Sequence, residues 1–392
     1  MKLVIQVLAN MEYGDAVTNY AVLLDRLLRQ AGYATRLYSQ YVHPFFRRQY
    51  QLLGKAGQHL DSRDVVWLYH YSTASPATQM LRKAQGPVVL VYHNVTPEHY
   101  MAPIGGSFAS RAHAARQDLA DFARVPVMAM ADSHYNAADL AALGIQQARV
   151  VPLSLDFDRF QRRPDMGLLR ALREHREVNF LTVGRLAPHK RIEDVIKVFY
   201  YYQNYINPRS RLYVVGDGEE YSSYVHQLMQ LQSDLGIPNI LFTGKVRFRE
   251  LLAYYKASDV YLCMSEHEGF CVPLLEAMHL GVPVIAYGCE AVRETLGGAG
   301  VVAEHKRVDV IAEMAELLVR DPRLRHTVVQ QQQRRAEDFS LTRLRQQLAE
   351  VVTQATELHD RRRAGWIAAK GDCNSLNPAP ALSRIGTGGL GH

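Results

Sequence analysis

Short apolar runs rich in β-branched and aromatic residues recur along the chain, each followed by a stretch of helical length. The first series runs KLVIQVLA, then VTNYAVLLDRLLRQAG; DVVWLYHY, then a helical stretch; and PVVLVYHN, VPVMAMADS and RVVPLS. Near-continuous apolarity over strand length suits strands buried on both faces, so the rhythm predicts βαβ units and parallel sheets. A second series opens at VNFLTVG and continues through RLYVVGDG, NILFTG, DVYLCMS and PVIAYG. Between the two lies RFQRRPDMGLLRALREHREV, polar and charged, with Pro164 and Gly167, which predicts a seam. The pattern implies an α/β protein of two Rossmann-like domains across a cleft, residues 1–165 and 166–345. From Lys306 to His359 the period is helical with a break at Asp321 and Pro322. Residues 361–392, ending in GDCNSLNPAPALSRIGTGGLGH, are rich in Gly, Pro and Ser and are expected to be disordered.

Size agrees with that division, because 392 residues exceed one ordinary core and suit two. A hydrophobic share of 48% with 21% charged residues is that of a soluble globular chain. No run approaches the roughly 18 apolar residues of a membrane-spanning helix. The opening run is interrupted by Gln6 and predicts a strand rather than a signal peptide, so a cytoplasmic location is expected. Four cysteines without CxxC spacing argue against a disulfide framework and a zinc site. The net charge of +6 is compatible with nucleic acid, anionic lipid or a nucleotide diphosphate, and does not choose among them. Gly216-Asp217-Gly218 follows a strand, but Tyr221 stands where a dinucleotide fingerprint needs its third glycine, and no GxxxxGK[ST] occurs. Asp156-Phe157-Asp158 could hold a divalent cation against a diphosphate, with loop capping as the competing reading.

In open parallel sheets ligands bind beyond the carboxyl ends of the strands, so the residues just after each run matter most. After LCMS comes SEHEGFCVPLLEAMHL, in which Pro273 suits the first turn of a helix ending near Gly281. Glu268 then lies on the loop and Glu276 in the helix, among Leu274, Leu275, Ala277, Met278 and Leu280. A carboxylate in such surroundings needs donors. Hydroxyls of a sugar or ribose could supply them, as could a cap or a buried cation. The amides of Gly269 and Phe270, with Cys271 beside them, can hold a ligand's oxygens at the helix start. FLTV ends in Gly184-Arg185-Leu186-Ala187-Pro188-His189-Lys190, with a helix expected to begin near Pro188. Arg185 with its fork and Lys190 as a point charge can reach one diphosphate, although a solvated basic turn has the same composition. His93, at the end of VVLVYH, is either a site residue or a satisfied core histidine. His189 and His267 are read first as loop residues.

The segments GRLAPHK, VVGDGEE, LFTGKV, EGFCVPLLE and AMHLGVPVIAY resemble, in order and spacing, the C-terminal half of the retaining GT-B-fold glycosyltransferases. The family is the large one with the E-x7-E motif (glycosyltransferase family 4, group 1), which includes sucrose synthase-like enzymes and bacterial polysaccharide mannosyltransferases. The first domain is similar more sparsely, through Tyr13-Gly14-Asp15-Ala16, VYHNVTP, MADSHYN and VVPLSLD. The resemblance implies that Arg185 and Lys190 hold the diphosphate and Glu276 the ribose. Glu268, with the Gly269 and Phe270 amides, would hold the donor sugar, and His93 would face it. Gly14 matches the glycine loop near the phosphates, where the family often has two adjacent glycines and this chain has one. Base selection is expected near Lys245, Val246 and Arg247. A helix over residues 346–360 is expected to cross back to the first domain.

The activity that the resemblance implies is metal-independent transfer of a hexose, with retention, from a nucleotide diphosphate sugar to a hydroxyl of a glycan or lipid-linked acceptor in surface polysaccharide biosynthesis. GDP-mannose is the favoured donor, and no cofactor and no nucleic acid is expected. A nucleotide-sugar 2-epimerase on the same scaffold, or a noncatalytic nucleotide-sugar-binding subunit, are the rival readings. Between Arg26 and Leu60 the chain carries Arg26, Arg29, Arg36, Arg47, Arg48 and Lys55 with no acid. Within residues 43–55 these cations mix with Phe45, Phe46, Tyr50 and Leu52, a composition suited to peripheral contact with an anionic membrane on its inner face. An ordinary solvated surface with a packed aromatic edge is the alternative.

Overall fold

The computed structural model describes residues 2–174 and 177–374. The first sheet contains β1 (Leu3–Met11), β2 (Ala34–Val42), β3 (Gln51–Leu52), β4 (Val65–Tyr71), β5 (Val88–Tyr92), β6 (Met128–Ala131) and β7 (Ala148–Val150), all parallel, in the order β3-β2-β1-β4-β5-β6-β7. The second contains β8 (Val178–Val183), β9 (Ser210–Val215), β10 (Ile240–Gly244), β11 (Val260–Cys263), β12 (Val284–Tyr287) and β13 (Val301–Ala303), parallel, in the order β10-β9-β8-β11-β12-β13. In both sheets the order reverses once, between β1 and β4 and between β8 and β11. Each reversal opens a crevice beyond the carboxyl ends of two neighbouring strands.

The apolar runs are strands for the reason their pattern gives. Every residue of β4 and β5 is buried, because helices cover both faces. Trp67, Tyr69 and Tyr71 project to one side of β4, where Leu90, Tyr92 and Phe122 pack against them. Val66 and Leu68 project to the other, toward Leu24, Leu27 and Leu28 of the helix Ala16–Gln30.

Three stretches depart from expectation. The turn at Pro188–Lys190 is a single helical turn; Arg191 then takes a left-handed conformation (φ 51°), and the helix proper is Ile192–Tyr201. The polar seam contains the helix Met166–Arg173, capped by Asp165, whose carboxylate accepts from the Leu168 amide at 3.0 Å. Leu169 and Leu172 of that helix are buried. The last helix, Leu341–Asn374, begins before residue 346 and continues through 361–374, which composition assigned to a disordered tail. Arg361-Arg362-Arg363-Ala364 are strong helix formers, and the Pro-rich part of the tail begins only at Pro378; residues 375–392 lie outside the described residues. Leu344, Leu348, Val351, Val352 and Ala355 form one buried stripe of this helix and join the cluster containing Tyr20, Leu24 and Leu28. Arg149 pairs with Glu350, and Lys2 donates to Thr356. The helix thus packs against the first domain.

Among the described residues, no helix is long and apolar enough to cross a membrane.

Candidate functional site

The two crevices face each other. From the first domain come the loop after β1 and the ends of β4, β5 and β6; from the second come the loops after β8, β10 and β11. Contacts between them are specific. The Ser133 hydroxyl donates to the Gly269 carbonyl at 2.8 Å, and the Tyr100 hydroxyl donates to the Glu266 carbonyl at 3.1 Å. His267 Nε2 lies 2.8 Å from Asn94 Oδ1, while Asn94 Nδ2 donates to Asn136 at 2.7 Å. Asn94 adopts a left-handed conformation (φ 73°), which asparagine tolerates better than most residues. A β-carbon on Gly269 would fall 2.8 Å from Asn94 Cβ and 3.3 Å from the His93 carbonyl oxygen, so only glycine lets the loop sit this close.

On the second-domain wall, Lys190 Nζ donates to both Glu268 oxygens, at 2.6 and 2.7 Å. Burial opposes the charge on Lys190, but Glu268 and its neighbours outweigh that and hold the ammonium above its ordinary range. Arg185 is more open, with its side chain 54% exposed and loosely paired with Asp15 at 3.5 Å and Glu220 at 3.6 Å. Asp15 caps the helix Ala16–Gln30 directly after Gly14, so Arg185 reaches across the cleft to the glycine loop. Gly14 (φ 79°) is approached from the same side, since a β-carbon there would lie 3.2 Å from Lys245 Cε. Val246, next along, is partly buried against the core.

Glu276 sits within the helix Val272–Leu280, partly buried, and accepts from the Tyr255 hydroxyl at 2.8 Å. Burial pushes its carboxyl up to about 7, against the lowering effects of Tyr255 and Arg159. One neutral donor therefore replaces the cation or cap considered from sequence. Phe270 accepts at its carbonyl from Thr295 Oγ1 at 2.5 Å, and Cys271 takes φ 71° to start the helix. His189, beside Lys190, is pushed well below the ordinary histidine range by burial and by Lys190, and its Nδ1 has no partner among the described residues. Burial likewise lowers His267 to about 4.

His93 is arranged differently. Its side chain is only 3% exposed, with Nδ1 2.9 Å from Asp132 Oδ2 and Nε2 2.9 Å from His70 Nδ1. His70 Nε2 in turn lies 2.9 Å from Gln6 Oε1. Both nitrogens of the ring are thus occupied within the first domain.

Cys263, Glu268 and Cys271 bring three metal-capable atoms within 4.8 Å of one another. The set does not suit a cation: Lys190 already places an ammonium on both Glu268 oxygens, and the hydrogen bond with Cys263 and burial keep the Cys271 thiol protonated. The DxD segment lies apart, with Asp156 paired to Arg26 at 2.8 Å and making no side-chain cap.

The structure brings together Arg185, Lys190, Glu268, Gly269 and Gly14, and sets Glu276 on the adjoining helix. Sequence reasoning missed Tyr255, Gln6, His70 and Asp132, and named Lys245 only for the base, whereas it lies against Gly14. His70 and Asp132 carried a signal, because both are polar residues at the ends of apolar runs. Tyr255 carried none, being on a different helix from its partner.

Residues 170–335 match the family model of glycosyl transferases group 1. The chain is 38% identical over 104 residues to a GDP-mannose-dependent alpha-mannosyltransferase of Mycolicibacterium smegmatis, covering 26% of this chain and 24% of that protein. It is 30% identical over 132 residues to O-antigen chain mannosyltransferase B of Escherichia coli, covering 34% of each. The chain therefore spans about a quarter to a third of the length of these relatives. Anabaena HepE, solved with UDP and glucose, superposes with a TM-score of 0.68 at 17% identity, over 90% of this chain and 100% of that one. WaaG, a glycosyltransferase involved in lipopolysaccharide biosynthesis, superposes with a TM-score of 0.67 at 17% identity, over 89% and 99%.

Proposed function

We propose that this chain, of which residues 170–335 match the family model of glycosyl transferases group 1, moves a hexose, with retention, from a nucleotide diphosphate sugar to an acceptor hydroxyl. One observation carries this reading: Arg185, the Lys190–Glu268 pair and the half-satisfied Glu276 gather beside the crevice between β8 and β11, opposite Gly14. In the reaction the bond from the anomeric carbon to the diphosphate oxygen breaks and its electron pair stays on the diphosphate. The acceptor oxygen bonds to the anomeric carbon from the same face, and its proton passes to the departing diphosphate. Arg185 and Lys190 meet the charge as it develops, which is the largest kind of catalytic contribution and needs no metal. Glu276 takes the ribose hydroxyls, Glu268 and the Gly269–Phe270–Cys271 backbone hold the sugar, Lys245 to Arg247 border the base, and His93 braces the wall behind Gly269.

Similarity to the mycobacterial and O-antigen mannosyltransferases favours GDP-mannose as donor and a surface glycan or its lipid-linked precursor as acceptor. Thermal shift with GDP, UDP and ADP, without metal, tests the site, because a ligand of the folded state raises its stability. A shift with GDP that Glu276→Ala abolishes is the expected result. No shift with any of them, in a folded protein, would reduce the likeness to fold alone.

The acceptor side supports peripheral contact with an anionic membrane through residues 43–55, on the inner face of the plasma membrane if the chain is cytoplasmic. Phe45 is 67% and Leu52 58% exposed beside Arg47 and Arg48, whereas Phe46, Tyr50 and Leu53 are buried. Co-sedimentation with phosphatidylglycerol vesicles is expected for the natural chain and not for Arg47→Glu/Arg48→Glu; equal binding by both would sink the assignment.

A further inference from the structure

The hydrogen bonds around His93 leave a proton unaccounted for. Three links run in series: Gln6 Oε1 to His70 Nε2, His70 Nδ1 to His93 Nε2, and His93 Nδ1 to Asp132 Oδ2, each 2.9 Å. Every link needs one proton. The carbonyl oxygen of Gln6 supplies none, two neutral imidazoles supply one each, and an ionised Asp132 supplies none, so one link would be left with two lone pairs facing each other.

The amide of Gln6 is held the right way round, because its Nε2 donates to the Ala21 carbonyl at 3.1 Å; turning it would set oxygen against oxygen. His70 must then carry its proton on Nε2 and accept on Nδ1, which makes His93 Nε2 a donor. What remains is the contact between His93 Nδ1 and Asp132. Burial opposes a second proton on His70 and favours one on Asp132. Tyr20 stands edge-on to both rings, and its hydroxyl has no partner among the described residues, so it relieves neither. Without another proton the relay would keep a net negative charge in a nearly sealed site, with Gln6 and His70 0–1% exposed and the His93 and Asp132 side chains 3–4%.

We propose that a third proton is held between His93 and Asp132, with Gln6 and His70 as positioning residues, so that His93 presents no free lone pair and cannot act as a base toward an acceptor hydroxyl. The last clause rests on the glycosyl-transfer reading; the proton count does not. His93 then serves as a rigid, uncharged-overall brace behind the Gly269 loop, and the acceptor proton must leave by another route.

Nitrogen NMR of the full chain with labelled histidine at pH 7.5 tests this, because protonated and unprotonated ring nitrogens resonate in separate regions. The expected pattern is a protonated His93 Nε2 and an unprotonated His70 Nδ1, with the third proton seen either on His93 Nδ1 or as a protonated-carboxyl infrared band lost in Asp132→Asn. Gln6→Met removes the anchoring acceptor and is expected to invert the link, moving the His70 proton to Nδ1 and leaving His93 Nε2 bare. Asp132→Asn, whose amide can donate to Nδ1, is expected to keep both ring orientations without the third proton. A natural chain that already shows a bare His93 Nε2 and an ionised Asp132 would overturn the inference without recourse to any variant. The expected pattern in a chain that binds no nucleotide diphosphate would retain the proton and overturn the transfer reading alone.

Discussion

Two polar clusters, one on each wall of the cleft, are satisfied to different degrees. On the first-domain wall, His93, His70, Gln6 and Asp132 close a relay among themselves, sealed from solvent. On the second-domain wall, Glu276 has one neutral donor, His189 Nδ1 has no partner among the described residues, and Arg185, half-exposed, meets its carboxylate partners only at 3.5 and 3.6 Å. A saturated network fixes geometry, and an unsaturated one has donors and acceptors to offer a ligand. The difference separates polar groups that are fixed among themselves from polar groups that have capacity to offer a ligand.

The Lys190–Glu268 pair is the exception on the second-domain wall, being both buried and paired, and removing one partner should have the largest effect. Lys190→Met leaves a nearly buried carboxylate without its cation, which typically destabilises by about 3–5 kcal/mol. Lys190→Met/Glu268→Gln should recover most of that stability while transfer stays lost. Arg185→Ala is the control from the open part of the same wall: transfer should fall by roughly 10²-fold, as for a lost charge-stabilising donor, with stability nearly unchanged. Denaturant melts beside turnover assays decide the matter. A stable Lys190→Met protein, or an Arg185→Ala protein with full turnover, would remove the distinction between the buried and the exposed cation.

The same contrast explains what the sequence could disclose. Strands such as VVWLYHY and VVLVY announce themselves because burial on both faces demands unbroken apolarity, and the loops after them were therefore the right places to look. Arg185, Lys190 and Glu268 were legible as chemistry because charges at strand ends have few structural uses. Their pairing was not legible, since Lys190 and Glu268 are brought together only by the adjacency of β8 and β11. The relay was hidden for a related reason. Gln6, His70, His93 and Asp132 lie on or just beyond four neighbouring strands, and each alone is one polar residue in or after an apolar run. The final helix was underestimated beyond His359 because composition averages over a segment, and the Gly, Pro and Ser at its far end outweighed the helix formers Arg361 to Ala364 at its start.

Glu276 gives the smallest predicted effect and the sharpest test of the idea that the second-domain wall is left unsatisfied for a ligand. Its carboxyl is raised to about 7 from an ordinary value near 4.5, so the folded state binds the proton more tightly than the unfolded one. Stability is therefore lost as pH rises from about 4.5 through 7. Glu276→Gln, which can still accept from Tyr255, should match the natural chain at pH 4.5 and exceed it by ~2 kcal/mol at pH 8, a figure reduced for the partial exposure of the side chain. Saturating GDP should narrow that gap, because ribose hydroxyls would give the ionised carboxylate the donors it lacks. Melts at pH 4.5 and pH 8, with and without nucleotide, measure both terms. A variant that is less stable than the natural chain at pH 8 would mean that Tyr255 alone satisfies Glu276, and the half-open wall would then be a property of the fold rather than a place kept for a ligand.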